Sequence, residues 1–335
     1  MSYIRKEGAG ITTEIPFEFH GTGWAYFKIW LVNIVLTILT FGIYSAWAKV
    51  RRKRYLYGST RLQGAGFEYL ADPVKILKGR ALVVAVFIVY SALDHFAPLV
   101  SGILSLGFIV ILPWLVVRSL AFNARYTALR NIRFGFHGTL MEAVKAYVLW
   151  PILIPFTLGI IFPYVYYCQK KFVVENHRYG TARFSFTATP GDYYGVFLGS
   201  LVPLFIGGIF IVVLAFLFAP LSFLAGAVLY FYVFAYFSVK TTNLLFNSSR
   251  LESHRFAANL RTRDYTALVL TNSLGIALTL GLFYAWAQIR TLRYKVGHLT
   301  LIAAEDLDGF VAAEQEQVSA LGEEMSDFFD IDVGL

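Results

Sequence analysis

Arginine and aromatic side chains share one face of a predicted helix near residue 50. Trp47, Arg51, Arg54 and Tyr55 fall at positions i, i+4, i+7 and i+8, which lie on the same side of an α-helix. The same four residue types recur at Trp286, Arg290, Arg293 and Tyr294. Two interpretations fit this pattern: anchoring at the membrane interface with arginines that reach phosphates, or a specific pocket for an anionic lipid or phosphate.

Two asparagines lie inside otherwise apolar stretches of the chain. Asn33 and Asn272 each stand nine residues before a glycine, Gly42 and Gly281. An amide without a partner is costly in an apolar environment. We therefore expect each asparagine either to hydrogen-bond a neighbouring helix or to line a polar path for a solute.

Motifs of known enzymes are missing from the sequence. It contains no His-Glu-x-x-His, no Walker phosphate loop and no Gly-x-Ser-x-Gly elbow. His20 and His137 lack the close-spaced partner that metal-binding histidines usually have. We predict that the chain is not an enzyme and that it holds no cofactor and no metal.

The composition is that of a membrane protein. Hydrophobic residues make up 57% of the chain and charged residues 15%, with a mean hydropathy of +0.60; soluble domains carry about a quarter charged residues. All 29 Lys and Arg residues precede position 296, and the remaining segment carries only acidic charges. Such an excess in a membrane protein indicates a basic cytoplasmic face that contacts anionic headgroups, and it argues against nucleic acid as a partner.

An internal repeat organises the apolar segments. Three segments align without a gap when Gly42, Gly159 and Gly281 are superimposed, and each glycine is a candidate helix break. We predict two and a half units, each with a head and a helical hairpin, in an α-helical polytopic membrane protein. The predicted parts are unit 1 at 1–130 (head 17–72, hairpin 79–122), unit 2 at 131–250 (head 134–190, hairpin 195–246), a partial unit at 251–304 and a flexible acidic tail at 305–335.

Short stretches with apolar residues at every second position flank the heads. Phe17 and Phe19 show this alternation before the first head, and Phe67 and Tyr69 show it after that head. We expect these strands to form a small cytoplasmic sheet that joins the units.

The distribution of positive charge distinguishes two topologies for the heads. If every head crosses the membrane once, 12 basic residues fall on one side and 17 on the other. If the heads enter and return, all 29 fall on one face, which fits the positive-inside rule better. Heads that cross would make the units inverted repeats, an arrangement that is typical of transporters.

The first head also carries a recognisable signature. The stretch 40–57 reads TFGIYSAWAKVRRKRYLY, followed by TRLQG at 60–64 and FEY at 67–69. These segments, together with the ending FFDIDVGL at 328–335, resemble the YjgN family of bacterial inner-membrane proteins. The resemblance implies a multi-pass inner-membrane protein of unknown function and supplies no catalytic or binding residues.

The sequence favours a non-enzymatic scaffold, adaptor or envelope-maintenance factor of the bacterial inner membrane. Its basic loops and C-terminal tail would be cytoplasmic, and the acidic residues within Glu323–Leu335 would dock a protein partner or fold back on the basic face. The alternative is a transporter or channel built on inverted repeats, with Asn33 and Asn272 along the path.

Overall fold

The protein combines a small β-barrel with helices that extend from one end of it. The computed structural model describes the backbone of residues 3–7 and 10–332, with side chains for residues 13–102, 104–105 and 107–319. The strands are β1 Tyr3–Glu7, β2 Gly10–Phe19, β3 Thr60–Leu62, β4 Ala65–Tyr69, β5 Thr127–Leu129, β6 Ile132–Phe136, β7 His177–Tyr179, β8 Ala182–Phe186, β9 Ser249–Leu251, β10 His254–Ala258 and β11 Leu299–Ala303.

Helices fill the segments between these strands. They are α1 Gly23–Leu39, α2 Ser45–Ser59, α3 Pro73–Phe96, α4 Pro98–Arg125, α5 Leu140–Val144, α6 Trp150–Phe156, α7 Phe162–Glu175, α8 Pro190–Leu217, α9 Ala219–Asn247, α10 Thr262–Leu278, α11 Tyr284–Val296 and α12 Leu307–Asp332. A π-helical turn at Lys145–Leu149 joins α5 to α6.

Ten of the described strands close into an antiparallel barrel. From β3 to β11 each strand pairs with the next in the chain, and β2 pairs with both β3 and β11. The expected small sheet is therefore larger and has no free edge among β2–β11. Closure depends on pairings such as Phe17 with Leu62, which bring together strands that are separated by a whole helix pair.

Alternation along the strands sorts the side chains between the two faces of the barrel. Five phenylalanines point inward, one from each even-numbered strand: Phe17, Phe67, Phe134, Phe184 and Phe256. Neighbouring rings in this layer stack with centroids 6.4 Å apart for Phe17 and Phe67. Exposed arginines such as Arg133, Arg183 and Arg255 lie between them on the outer wall.

All helix pairs leave the barrel from the same end. β3 and β4 are joined by a tight turn at Gln63 and Gly64, both at positive φ, whereas β2 and β3 are joined through α1 and α2. The strands are antiparallel, so tight turns and helix pairs alternate between opposite ends of the barrel. Each helix pair consequently begins and ends at the same end of the barrel, which we call the rim.

The three short helix pairs reverse direction through the same turn. Thr40, Phe41 and Gly42 form it in the first pair, with φ of 48° at Phe41 and 90° at Gly42. The Gly42 amide donates to the Thr37 carbonyl at 2.8 Å, and the Thr40 hydroxyl accepts from the Tyr44 amide at 2.9 Å. Thr157 to Gly159 and Thr279 to Gly281 have the same backbone and the same hydrogen bonds. The turn therefore pairs its own backbone amides.

The long helix pairs have the dimensions of membrane spans. Four described helices are long and apolar enough to cross a bilayer: Pro73–Phe96, Gly107–Arg125 within α4, α8 and α9. A 24-residue helix is about 36 Å long, and the hydrocarbon core is about 30 Å thick. Large apolar side chains such as Phe87 and Phe205 are mostly exposed on these helices, as lipid-facing residues are. The chain is therefore a helical membrane protein.

Helix α12 differs from the flexible tail that the sequence led us to expect. Its Leu307, Phe310 and Val311 enter the turn end of the barrel and pack on the inner layer. Glu314 is buried, and its Oε2 accepts from the Thr181 amide at 2.8 Å. Spacing at i, i+3 and i+4 gives this acidic segment one apolar face, which the barrel covers. The docking peptide expected at Glu323–Leu335 lies outside the residues whose side chains are described.

Candidate functional site: a basic pocket beside the first helix pair

Tyr55 and Arg54, from the first motif, hydrogen-bond to the loops at the rim of the barrel. The Tyr55 hydroxyl accepts from the Thr22 amide at 2.8 Å and donates to the Thr22 carbonyl at 3.1 Å. Arg54 donates to the carbonyls of Tyr69 at 3.2 Å and Ala71 at 3.4 Å. Both side chains thus fix the loops through which strands lead into helices.

The last helix pair repeats these contacts and closes the ring of helices. The Tyr294 hydroxyl accepts from the Arg261 amide at 2.9 Å and donates to the Arg261 carbonyl at 3.0 Å. Arg293 donates to the Gly21 carbonyl at 2.8 Å, which belongs to the loop after β2. Since β11 neighbours β2, this arginine ties the last helix pair to the first.

The tryptophans pack between helices. The Trp286 ring lies 4.5 Å from the Phe27 ring and 6.3 Å from the Trp24 ring, so α11 is packed on α1. Trp47 stacks on Tyr44 with centroids 6.2 Å apart. Of the arginines and aromatic residues that the sequence grouped on one face, most therefore contact protein, whereas Arg51 is exposed.

The two asparagines have different partners. Asn272 Nδ2 donates to the Ala287 carbonyl at 3.3 Å, and its Oδ1 accepts from Arg290 at 2.8 Å. Asn33 Nδ2 donates to the Ala48 carbonyl at 3.3 Å, but its buried Oδ1 has no hydrogen-bond partner among the described residues. The first helix pair therefore lacks the arginine contact that completes the last one.

A basic pocket lies beside Asn33. Its volume is about 590 Å³, and its polar lining includes Asn33, Thr37, Ser45, Lys49, Arg52 and Arg80. The cations come from α2 and α3, while Asn33 comes from α1 and Tyr284 from α11. Arg80 donates to the Ser45 hydroxyl. In the part of the chain that the structure describes, no carboxylate lines this pocket, so its charge suits an anion.

The barrel lumen contains a second, apolar cavity. It has a volume of about 350 Å³ and extends from Phe310 on α12 to Phe246 at the end of α9. Tyr179 lies in its wall, where burial raises the pKa of the phenol to about 12 and the hydroxyl donates to the Leu129 carbonyl at 3.1 Å. Burial also lowers the pKa of His254, whose ring contacts Phe310. The lumen is therefore a largely apolar interior, and among the described residues Arg130 is the charged one in its lining.

Sequence reasoning missed the pocket because its cations belong to different elements. Lys49 and Arg52 lie within the recognised motif, but on another face from Arg51 and Arg54. Arg80 is at the start of the next helix, and nothing in the sequence places it beside Ser45. The signal available in the sequence was Asn33, an amide within an apolar stretch. Among the described residues, no three His, Cys, Asp or Glu side chains lie close enough to hold a metal ion.

The chain is a polytopic helical membrane protein. It combines spanning helices with a closed barrel at one end and a basic pocket near the rim of that barrel. The chain belongs to the family of bacterial proteins of unknown function designated DUF898, which it matches over residues 14–328. No solved structure matches it.

The chain is similar to curated proteins named inner membrane protein YjgN. It is 34% identical over 152 residues to the one from Escherichia coli strain K12, covering 44% of this chain and 37% of that protein. The protein from E. coli O157:H7 is 33% identical over 147 residues, with the same coverage. The protein from Salmonella typhimurium LT2 is 34% identical over 144 residues, covering 43% of this chain and 36% of its own length. The match thus spans less than two fifths of these relatives. Together with the apolar helices, they indicate a bacterial inner-membrane location.

Proposed function

We propose that this protein is a non-enzymatic scaffold of the inner membrane, with its barrel in the cytoplasm and its basic rim against anionic lipid headgroups. The observation that carries the proposal is the common rim from which every helix pair leaves and to which it returns. That arrangement leaves one side of the membrane with the barrel, the rim and α12.

The positions of the basic residues support this orientation. No Lys or Arg lies between Arg80 and Arg118, or between Arg183 and Lys240. These intervals contain the parts of the long helices that are farthest from the barrel. Positive charge is retained on the cytoplasmic side of inner-membrane proteins, so the barrel end is the cytoplasmic end.

The short helix pairs would enter the bilayer and return. Helices of 17 and 15 residues, as in the first pair, are about 26 Å and 23 Å long and fall short of a full crossing. Their tips are apolar, with Phe41, Leu158 and Leu280 at least 92% exposed. Because each turn pairs its own backbone amides, the cost of placing it in an apolar environment is reduced.

The same geometry supports an internal repeat of two and a half units and weighs against a transporter. Each unit would consist of a short helix pair, a long helix pair and the strands between them. Inverted repeats require the first head to cross once and to leave β3 on the other side. β3 instead pairs with β2, which precedes that head.

Anionic lipid should be enriched around the protein, and the rim should be the cause. We expect lipid extracted with the protein in polymer nanodiscs to contain more anionic lipid than the surrounding membrane. Replacing the exposed rim cations Lys28, Arg51 and Lys78 with Gln should reduce this enrichment. The matched control removes three exposed charges from the outer wall near the tight turns: Arg133, Arg183 and Arg255. Equal enrichment in all three proteins would contradict the proposed lipid contact.

A protein partner would dock on the acidic end of α12. Truncation after residue 319 removes the acidic residues that follow but keeps Leu307, Phe310 and Val311 in the barrel. We expect the truncated protein to insert normally and to lose a partner that full-length protein retains in cross-linked pull-downs. The same set of cross-linked proteins with and without residues 320–335 would remove the tail from the proposal.

A further inference from the structure

The basic pocket is built for a particular kind of ligand. We propose that it binds the headgroup of an anionic phospholipid whose phosphodiester carries a hydroxyl-bearing substituent, as phosphoglycerol does. The inference rests on the proposed contact between the rim and anionic lipid, and it narrows that contact to one site made by α1, α2, α3 and α11.

Positive charge is the first argument. Lys49, Arg52 and Arg80 line one pocket of about 590 Å³, and no described carboxylate lines it with them. Like charges that share a site repel each other unless an anion lies between them. The Ser45 hydroxyl accepts from Arg80 and so orients this guanidinium beside the pocket. Guanidinium groups bind phosphate oxygens with two parallel hydrogen bonds.

The unpaired amide oxygen is the second argument. Asn33 is 8% exposed, lines the pocket, and has an Oδ1 without a described partner. The corresponding oxygen of Asn272 accepts from Arg290. A buried acceptor needs a donor, and a plain phosphodiester offers none. The hydroxyls of a phosphoglycerol group would supply it, whereas an ammonium headgroup would be repelled by the three cations.

The polarity of the pocket favours a lipid over a free phosphate compound. Ile34 and Ile38 also line the pocket, and Ile38 lies near the tip of α1, away from the barrel. Ile38 is 69% exposed. Arg52 lies closer to the barrel than Lys49 does, since α2 runs from the tip back to β3. The pocket thus combines three cations with an exposed apolar side chain near the tip of α1, where acyl chains would lie.

Native mass spectrometry of the purified full-length protein tests the site. The probes are phosphatidylglycerol, phosphatidylmethanol, which has the same charge but no hydroxyl, and soluble glycerol phosphate. We expect one tightly retained phosphatidylglycerol and an affinity several-fold lower for phosphatidylmethanol, since a hydrogen bond contributes about 1 kcal/mol. Arg80→Gln should weaken phosphatidylglycerol binding about tenfold or more, as the loss of a charged hydrogen bond does.

Two further variants test the amide oxygen and the position of the positive charge separately. Asn33→Leu should bind phosphatidylglycerol and phosphatidylmethanol equally, because the amide oxygen is gone. Arg133→Gln removes one exposed charge from the outer wall of the barrel, away from the pocket and the rim cations, and should leave the retained lipid in place. Thermal unfolding midpoints identify any variant that fails to fold. Arg80→Gln and Asn33→Leu remove different contacts, so if one of them does not fold, the other still tests the site.

Three results would overturn the inference. Equal weakening by Arg80→Gln and Arg133→Gln would reduce it to a general charge effect. Equal binding of the two lipids to the unchanged protein would remove the hydroxyl requirement. Displacement of the lipid by an equal concentration of glycerol phosphate would assign the site to a soluble phosphate. If the unchanged protein shows no preference for anionic lipid at all, the proposed function fails as well.

Discussion

A threonine and a glycine help to pair the backbone amides at the tip of each short helix pair. Thr279 accepts from the Phe283 amide at 2.9 Å, and Gly281 donates to the Ile276 carbonyl at 2.8 Å. The glycine is required because its φ is 95°, a conformation that side chains with a Cβ rarely adopt. These residues let the chain reverse between apolar side chains without a polar loop.

Gly281→Ala should therefore destabilise the protein although the added methyl group meets no atom within 4 Å. The cost is the left-handed backbone, about 1–2 kcal/mol. Gly226→Ala is the matched control, because that glycine lies inside α9 with equally free space around it. Alanine there should be neutral or stabilise by about 0.5–1 kcal/mol. Denaturant titration in detergent gives both values, and similar effects at the two sites would refute the assignment of strain to the turn.

Helix α12 covers the end of the barrel that carries the tight turns. Phe310 stacks on Tyr179 with ring centroids 6.4 Å apart. Beside the tight turns, Arg130 and Asp308 form a salt bridge of 2.5 Å. Glu314 adds a buried carboxylate that accepts from both the amide and the hydroxyl of Thr181. An apolar face and one buried polar contact together hold the helix in the lumen.

Glu314→Ala should loosen this helix. The substitution leaves the half-buried Thr181 amide without its acceptor, which costs about 1 kcal/mol. We expect faster hydrogen–deuterium exchange across residues 307–319. Glu316→Ala provides the control, since Glu316 is two residues away and exposed. Unchanged exchange in Glu314→Ala would show that the apolar face alone seats α12.

Local pattern predicted much of the whole molecule. Alternating phenylalanines indicated the strands, and the glycines at 42, 159 and 281 marked the turns. Closure of the barrel was missed because it depends on strands that are far apart in the chain, and periodicity does not specify their partners. The acidic residues of α12 hid its apolar face, which has meaning only beside an open barrel end. The pocket was missed because Arg80 reaches Ser45 from a separate helix.

The central claim is that every helix pair returns to one cytoplasmic barrel. In a Cys168→Ser background, single cysteines at Gln63 and Ser253 sample the tight turns of the barrel, and one at Leu99 samples the far tip of the first long hairpin. The measurement is labelling by a membrane-impermeant maleimide in intact cells. We predict that Leu99→Cys is labelled, whereas Gln63→Cys and Ser253→Cys react only after the membrane is opened. Labelling of Gln63→Cys but not of Ser253→Cys in intact cells would show that the first head crosses the membrane, and it would contradict the account.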